Sequence, residues 1–353
     1  MASDGEIVFE RRGAAGIVTL NRPAALNAVT HDMVRRLRAQ LNAWVDDPAV
    51  TRVVVTANGE RAFSAGGDIR HLYELGKAGR HEEALQFWRD EYPLNAAIKR
   101  YRKPYVALID GIVMGGGVGV SVHGSHRVAG DKFSFAMPEV GIGFFPDVGA
   151  TWFLPRTPGE IGAFCALTGE RFGIGDGLAA GIATHRVPSE RFPELLELLC
   201  GSVSIDAVLA PFAEPVDGGP IMQRMDAIGR LFKGSHVEDI LTALDREAAF
   251  GHSDADWAGK TANTIRGKSP LSLKIALAQV RRGGALDFEA CMRTEFRIVS
   301  RVIHGHDFYE GVRAVIVDKD NKPTWQPKTL ADVSEAEVER HFAPIGADEL
   351  GLP

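Results

Sequence analysis

Gly111-Ile-Val-Met-Gly-Gly-Gly-Val-Gly119 and, shortly after it, Met137-Pro-Glu-Val-Gly-Ile-Gly-Phe-Phe-Pro-Asp-Val-Gly149 decide how this chain is read. The first stretch follows an apolar, strand-like run and sets sterically bare backbone at the start of a helix. Backbone N–H groups in such a turn are suited to a developing oxyanion, and the helix start adds partial positive charge. The second stretch places two isolated carboxylates, Glu139 and Asp147, among apolar and glycine residues. Carboxylates in low-dielectric surroundings do acid–base or nucleophilic work, so the pair of stretches points to acyl transfer.

Outward from this centre, short β-rich runs occur at 7–9, 16–20, 52–56, 105–110, 127–129 and 133–135. Helical periodicity predicts helices over 31–45, with Thr30 as cap, and over 81–99 and 117–124. Strands alternating with helices argue an α/β fold, and the consecutive apolar residues of the 52–56 and 105–110 runs argue strands covered on both faces. Past about residue 200 the pattern turns helical, with segments at 190–200, 219–232, 236–249, 271–281 and 285–303. The Ala210-Pro-Phe-Ala-Glu-Pro-Val-Asp-Gly-Gly-Pro220 stretch has linker composition. The expected division is a core over 1–205 and a mainly helical region over 206–353.

Composition narrows the function classes. The 353 residues carry 40 basic and 46 acidic side chains, a net charge of −6, which supplies no general attraction to nucleic acid or to an anionic membrane. The start of the chain lacks a secretory pattern, and no apolar run reaches the length of a membrane span. Cys165, Cys200 and Cys291 stand far apart, without the spacing of a disulfide framework or a zinc knuckle. These features predict a cytoplasmic protein without nucleic-acid or membrane partners.

Each motif has a bland alternative. Gly115-Gly116-Gly117-Val118-Gly119 fits neither nucleotide-loop spacing, but it could be a packing turn only. Ala62-Phe-Ser-Ala-Gly-Gly-Asp-Ile-Arg70 is a second bare turn after a strand, and the two turns together suggest a hole with two N–H donors. Glu139, between Pro138 and Val140, needs a partner or a task. Asp147 could simply cap the turn after it. Glu91 and Tyr92 pass as helix-surface residues. His123 and His126 lack a third metal ligand, 318–322 lacks the glycine and glutamate of a calcium loop, and no Gly-x-Ser-x-Gly elbow is present.

Phe63-Ser-Ala-Gly-Gly-Asp-Ile69 paired with Met114-Gly-Gly-Gly-Val-Gly119 resembles the crotonase (enoyl-CoA hydratase/isomerase) superfamily. Phe145-Pro-Asp-Val-Gly149, Ser269-Pro-Leu-Ser-Leu-Lys274 and Gly305-His-Asp-Phe-Tyr-Glu-Gly-Val-Arg-Ala-Val315 extend the likeness toward its branch that hydrolyses short β-hydroxyacyl-CoA thioesters such as 3-hydroxyisobutyryl-CoA. The resemblance spans nearly the whole chain. It implies a spiral of ββα turns with a helical C-terminal region, and an oxyanion hole from the N–H groups of Gly67 and Gly116. It implies that Glu139 and Asp147 are catalytic and that Glu91, Gly116, Glu139 and Asp147 bind substrate. The second hydratase glutamate would fall at Gly119, which has no side chain. The resemblance calls for no metal and no cofactor, coenzyme A arriving as part of the substrate, and leaves a homo-oligomer open. Lys274 or Lys268 could meet its phosphates, but basic residues on late helices are more often merely solvated. The alternatives are a hydratase or isomerase of the same superfamily, and a non-catalytic acyl-CoA or RNA-binding relative.

Overall fold

The computed structural model describes residues 5–250 and 253–352. Its long sheet begins with a hairpin of β1 (Ile7–Arg12) and β2 (Ala15–Leu20) and continues through β3 (Arg52–Ala57). The small sheet starts with β4 (Ala62–Ser64). Then β5 (Tyr105–Ile109) joins the long sheet and β6 (Ile112–Met114) the small one, and β7 (His126–Ala129) and β8 (Ser134–Ala136) repeat the alternation. β9 (His185–Arg186) completes the long sheet, whose order is β1-β2-β3-β5-β7-β9 against β4-β6-β8 in the small one. From β3 onward both sheets are parallel. Each pass therefore contributes one strand to each sheet before turning helical, which is the ββα spiral expected.

Apolar side chains fix this arrangement. Every residue of β5 is buried, as the run of consecutive apolar residues requires. Ile17, Val54, Val106, Leu108 and Val128 share a core with Leu195 and Leu199 of the helix Phe192–Leu199 and with Ile205, Val208, Leu209 and Phe212. The helix His31–Asp46 is capped by Thr30, whose Oγ1 accepts from the Met33 N–H at 3.3 Å, and it buries Met33, Leu37, Leu41 and Trp44. Gly16 admits the Trp44 ring: a Cβ there would lie 2.7 Å from it.

Two departures from expectation have clear causes. The helix predicted over 117–124 is a single turn, Gly116–Gly119. The chain then folds around Tyr105, whose hydroxyl donates to the Val120 carbonyl at 2.8 Å while Gly124 lies against its ring. The second concerns the cut at 205/206. The described chain forms two compact units that interleave in sequence. One runs through Asp68 and adds Asp90–Ala136 and Arg171–Gln223; the other holds Ile69–Arg89, Met137–Glu170 and the chain from Arg224 onward. Residues 205–212 belong to the sheet-bearing unit because their apolar side chains complete its core.

In the helical unit, the wholly buried helix Ile161–Thr168 packs with Pro270–Gly283, and Phe288–Val302 packs with Glu335–Phe342. Gly283 lets its helix end approach the Thr151 carbonyl so closely that any Cβ would overlap it. Gly283→Ala is expected to lower unfolding free energy by about 1–3 kcal/mol, as overpacking of a tight contact does. Urea denaturation measures it, and an unchanged midpoint would show the approach to be slack.

Candidate active site

The two glycine turns lie in the sheet-bearing unit, and the structure brings them together. The 64–68 turn is pinned from both sides. Val29 N–H donates to Gly66 O at 2.8 Å, Asp68 N–H to Val29 O at 2.9 Å, and Ala65 N–H to Leu26 O at 2.9 Å. Behind it, buried Asn27 donates to the carbonyls of Asn58 and Ala62. At the other turn, Gly115 has φ 42°, a conformation that favours glycine, and opens the helical turn Gly116–Gly119. A Cβ on residue 116 would stand 3.2 Å from Gly67 N and 2.8 Å from Glu91 Oε1. A side chain at 116 would therefore crowd both groups. Among the described residues the N–H groups of Gly67 and Gly116 have no hydrogen-bond acceptor, so both remain available as donors.

Glu91 and Tyr92 are buried, 1% and 0% exposed, which corrects their expected place on a helix surface. Their helix, His81–Lys99, is flanked on that face by protein, a fact that polar residue type alone concealed.

Glu139 and Asp147 lie in the helical unit, each held by structure the sequence placed far away. Glu139 opens the short 3-10 turn Glu139–Ile142 and is buried. Its turn is braced by the late motifs. Ser269 N–H donates to Val140 O, and Ser269 Oγ donates to buried Asp307 at 2.6 Å. Gly143 and Gly311 allow Asp307 and Ile142 backbone to pass where side chains would collide. Around them Trp88, Phe144, Phe145 and Phe308 form an aromatic cluster, Trp88 stacking on Phe144 at 5.6 Å. In these surroundings burial pushes the Glu139 carboxyl well above the usual carboxylate range, and the neighbouring charges of Asp147 and then Glu295 raise it further. Its Oε2 has no hydrogen-bond partner among the described residues.

Asp147 sits in a turn that bends sharply: Val148 has φ 52° and Gly149 φ 94°. Two N–H groups at the start of the next helical turn are bonded by a residue from far along the chain. Gly149 is the cap position of Ala150–Phe153, and Glu295 accepts from the N–H groups of Gly149 and Thr151 at 2.8 and 2.9 Å. The buried amide of Gln279 donates to Pro146 O on the other flank of the same turn. Glu295 is the residue sequence reasoning missed. It occupies a correctly expected helix, but nothing local distinguished it from a surface glutamate; only its complete burial does.

The two lysines considered for phosphate contact differ. Lys274 is engaged by Glu238 at 2.7 Å and by the Val333 carbonyl. Lys268 lies beside the Glu139 turn, its Nζ 3.3 Å from where a Gly141 Cβ would be, and burial lowers its pKa.

Burial, then the charge of Asp147, raises the Glu295 pKa from the ordinary 4.5 to about 8, despite the two N–H donors that favour its ionised form. The folded state therefore holds this proton more tightly than the unfolded chain. Its stabilising contribution is complete below about pH 4.5 and is lost as pH rises through about 8. Glu295→Gln should flatten the fall of unfolding free energy over that interval in pH-resolved urea titrations; an unaltered slope would show that Glu295 is ionised throughout.

Known proteins bear on this arrangement. The family model for enoyl-CoA hydratase/isomerase matches residues 15–342. The mitochondrial 3-hydroxyisobutyryl-CoA hydrolase of Danio rerio is 44% identical, over 98% of this chain and 92% of that protein. That of Homo sapiens is 42% identical, over 98% and 90%. A crystal structure of a carnitinyl-CoA dehydratase from Mycobacterium thermoresistibile superposes with a TM-score of 0.93 at 43% identity, covering 99% of each chain. One of an enoyl-CoA hydratase from Rhodobacter sphaeroides gives 0.91 at 38%, over 99% and 100%. The curated relatives overturn the expected cytoplasmic location, since their names place them in mitochondria. Isolated cysteines fit any reducing compartment, so they could not separate the two. With its motifs, its spiral of ββα turns and these likenesses in agreement, the chain belongs to the enoyl-CoA hydratase/isomerase (crotonase) family.

Proposed function

We propose that this protein is a thioesterase that hydrolyses 3-hydroxyisobutyryl-CoA, an intermediate of valine degradation, or a similar short β-hydroxyacyl-CoA. The observation that carries the reading is the pair of buried acids Glu139 and Asp147 in a chain whose curated relatives are named for this hydrolysis.

In this reading the thioester carbonyl accepts hydrogen bonds from the N–H groups of Gly67 and Gly116, which stabilise the oxyanion as it forms. Glu139, in its ionised form, takes a proton from the attacking water as the C–O bond forms. The tetrahedral intermediate collapses with cleavage of the C–S bond, and the proton passes to the departing thiolate. A direct attack by Glu139, giving a mixed anhydride that water then cleaves, uses the same groups. Asp147 binds the substrate 3-hydroxyl, and Glu91 contributes to binding near Gly116. The scheme draws only on carboxylates and backbone N–H donors.

A second reading, hydration or isomerisation of an enoyl-CoA, is favoured by the dehydratase and hydratase names of the two solved structures above. Against it stands Gly119, buried and without a side chain at the position where the resemblance puts a second hydratase glutamate. Thiol release separates the readings.

Three outcomes are expected. Free thiol should appear from 3-hydroxyisobutyryl-CoA much faster than from isobutyryl-CoA, with crotonyl-CoA left unconsumed; consumption of crotonyl-CoA without thiol would favour the second reading. Glu139→Gln should lower kcat by about 10²–10⁴, the usual range for a lost general base. Finally, kcat/KM should rise with pH along a limb displaced above the ordinary carboxylate range. Asp147→Asn should shift that limb to lower pH, because it removes a negative neighbour that raises Glu139. A limb at the ordinary carboxylate position in the unsubstituted enzyme would refute Glu139 as the titrating base.

A further inference from the structure

Glu295 is fully buried on the helix Phe288–Val302, yet its carboxylate is bound to backbone N–H groups 144 and 146 residues away in sequence. Those N–H groups, of Gly149 and Thr151, lie just beyond Asp147 on the same turn. Val148, between Asp147 and Gly149, holds a left-handed φ of 52°, a conformation that costs a β-branched residue roughly 1–3 kcal/mol and persists only where the surroundings impose it. On the other flank Gln279, also fully buried, donates its amide to the Pro146 carbonyl. The turn is thus gripped on both sides of Asp147 by side chains of two helices, and Gly283 lets the helix that carries Gln279 close against Thr151.

We propose that Glu295 is a positioning residue for Asp147: by binding the Gly149 and Thr151 N–H groups it fixes the Pro146–Gly149 turn so that the Asp147 carboxylate meets the 3-hydroxyl of the substrate. The proposal rests on the thioesterase reading above. A carboxyl group serves here because each of its two oxygens accepts one N–H donor. A glutamine in its place has one acceptor oxygen and turns an NH2 toward the second donor, which leaves a buried N–H unsatisfied. The electrostatics agree with this closeness, since the charge of Asp147 acts on Glu295 as well as on Glu139.

The test is a double-mutant cycle on thiol release from 3-hydroxyisobutyryl-CoA and isobutyryl-CoA, using the full chain and its Glu295→Gln, Asp147→Asn and doubly substituted variants. Glu295→Gln is expected to lower kcat/KM for the hydroxylated substrate by about 10²-fold, the scale of a small misplacement of a reacting or binding group. It should leave isobutyryl-CoA within about twofold, the margin for sites that do not interact. In the Asp147→Asn background the same substitution should have almost no further effect on either substrate. Equal losses on both substrates, or additive losses in the double variant, would make Glu295 a structural residue only and overturn the proposal. If Glu295→Gln does not fold, Glu295→Asp, which keeps the carboxyl group but withdraws it by one methylene, is read in the same way. Failure of both variants to fold would also overturn it, assigning Glu295 to folding alone. Absence of thiol release from the unsubstituted enzyme is a separate result, and it defeats the thioesterase reading itself.

Discussion

Burial of carboxylates is the constraint on which the helical unit is built. Glu139, Asp147 and Glu295 are 6%, 4% and 0% exposed, and each raises or feels the charge of another. An isolated ionised carboxylate in such surroundings costs several kcal/mol even after relaxation, so a chain that keeps three must manage them individually. Glu295 is managed by two N–H donors, and Glu139 is left with a raised affinity for its proton and a partnerless oxygen among the described residues. That inequality is informative. Both acids hold a proton more tightly than a free carboxylate does, but Glu295 has both oxygens bonded to backbone, whereas Glu139 keeps one oxygen without a partner among the described residues, as suits a group that acts on substrate.

The sheet-bearing unit meets a different demand with a different means. Its two glycine turns lie so close that a side chain at 116 would crowd Gly67 N and Glu91 Oε1. Flexible glycine turns alone would present nothing reproducible. The 64–68 turn is therefore laced to residues 26–29 by backbone hydrogen bonds, with buried Asn27 anchoring that segment to the strands behind. Rigidity comes from the neighbours and access from the glycine.

How much of this was legible in the sequence depends on how local each signal is. The long strands announced themselves through consecutive apolar residues, and Thr30 with Met33, Leu37, Leu41 and Trp44 marked its helix correctly. β4, β6 and β9 escaped because two or three residues set no periodicity. Glu139 and Asp147 stood out as charges in apolar company, a local anomaly. Glu295 and Gln279 sit among other polar residues on helices with ordinary amphipathic patterns, and their meaning arises only from contacts more than a hundred residues away. The same holds for Ser269 and Asp307. Their motifs were visible as motifs, but their work, bracing the Glu139 turn, was not.

The likeness to structures described as a dehydratase and a hydratase, beside curated relatives named as hydrolases, has a physical resolution. A scaffold that holds a thioester carbonyl between two N–H donors stabilises an enolate and a tetrahedral oxyanion by the same means, so the fold leaves the reaction open. Once the carbonyl is activated, the position of the acids selects the chemistry. Addition of water across a double bond, as the resemblance describes it, asks for a second carboxylate at 119, and the chain places glycine there within a fully buried turn. It places an acid instead at 147, on a turn whose strained backbone is clamped from two helices. The left-handed φ of Val148, next to that aspartate, carries an energetic cost, and the clamp on both flanks of the turn holds it in place. The clamped turn therefore weighs on the side of a site that recognises a polar group on the acyl chain, as hydrolysis of a β-hydroxyacyl thioester would need.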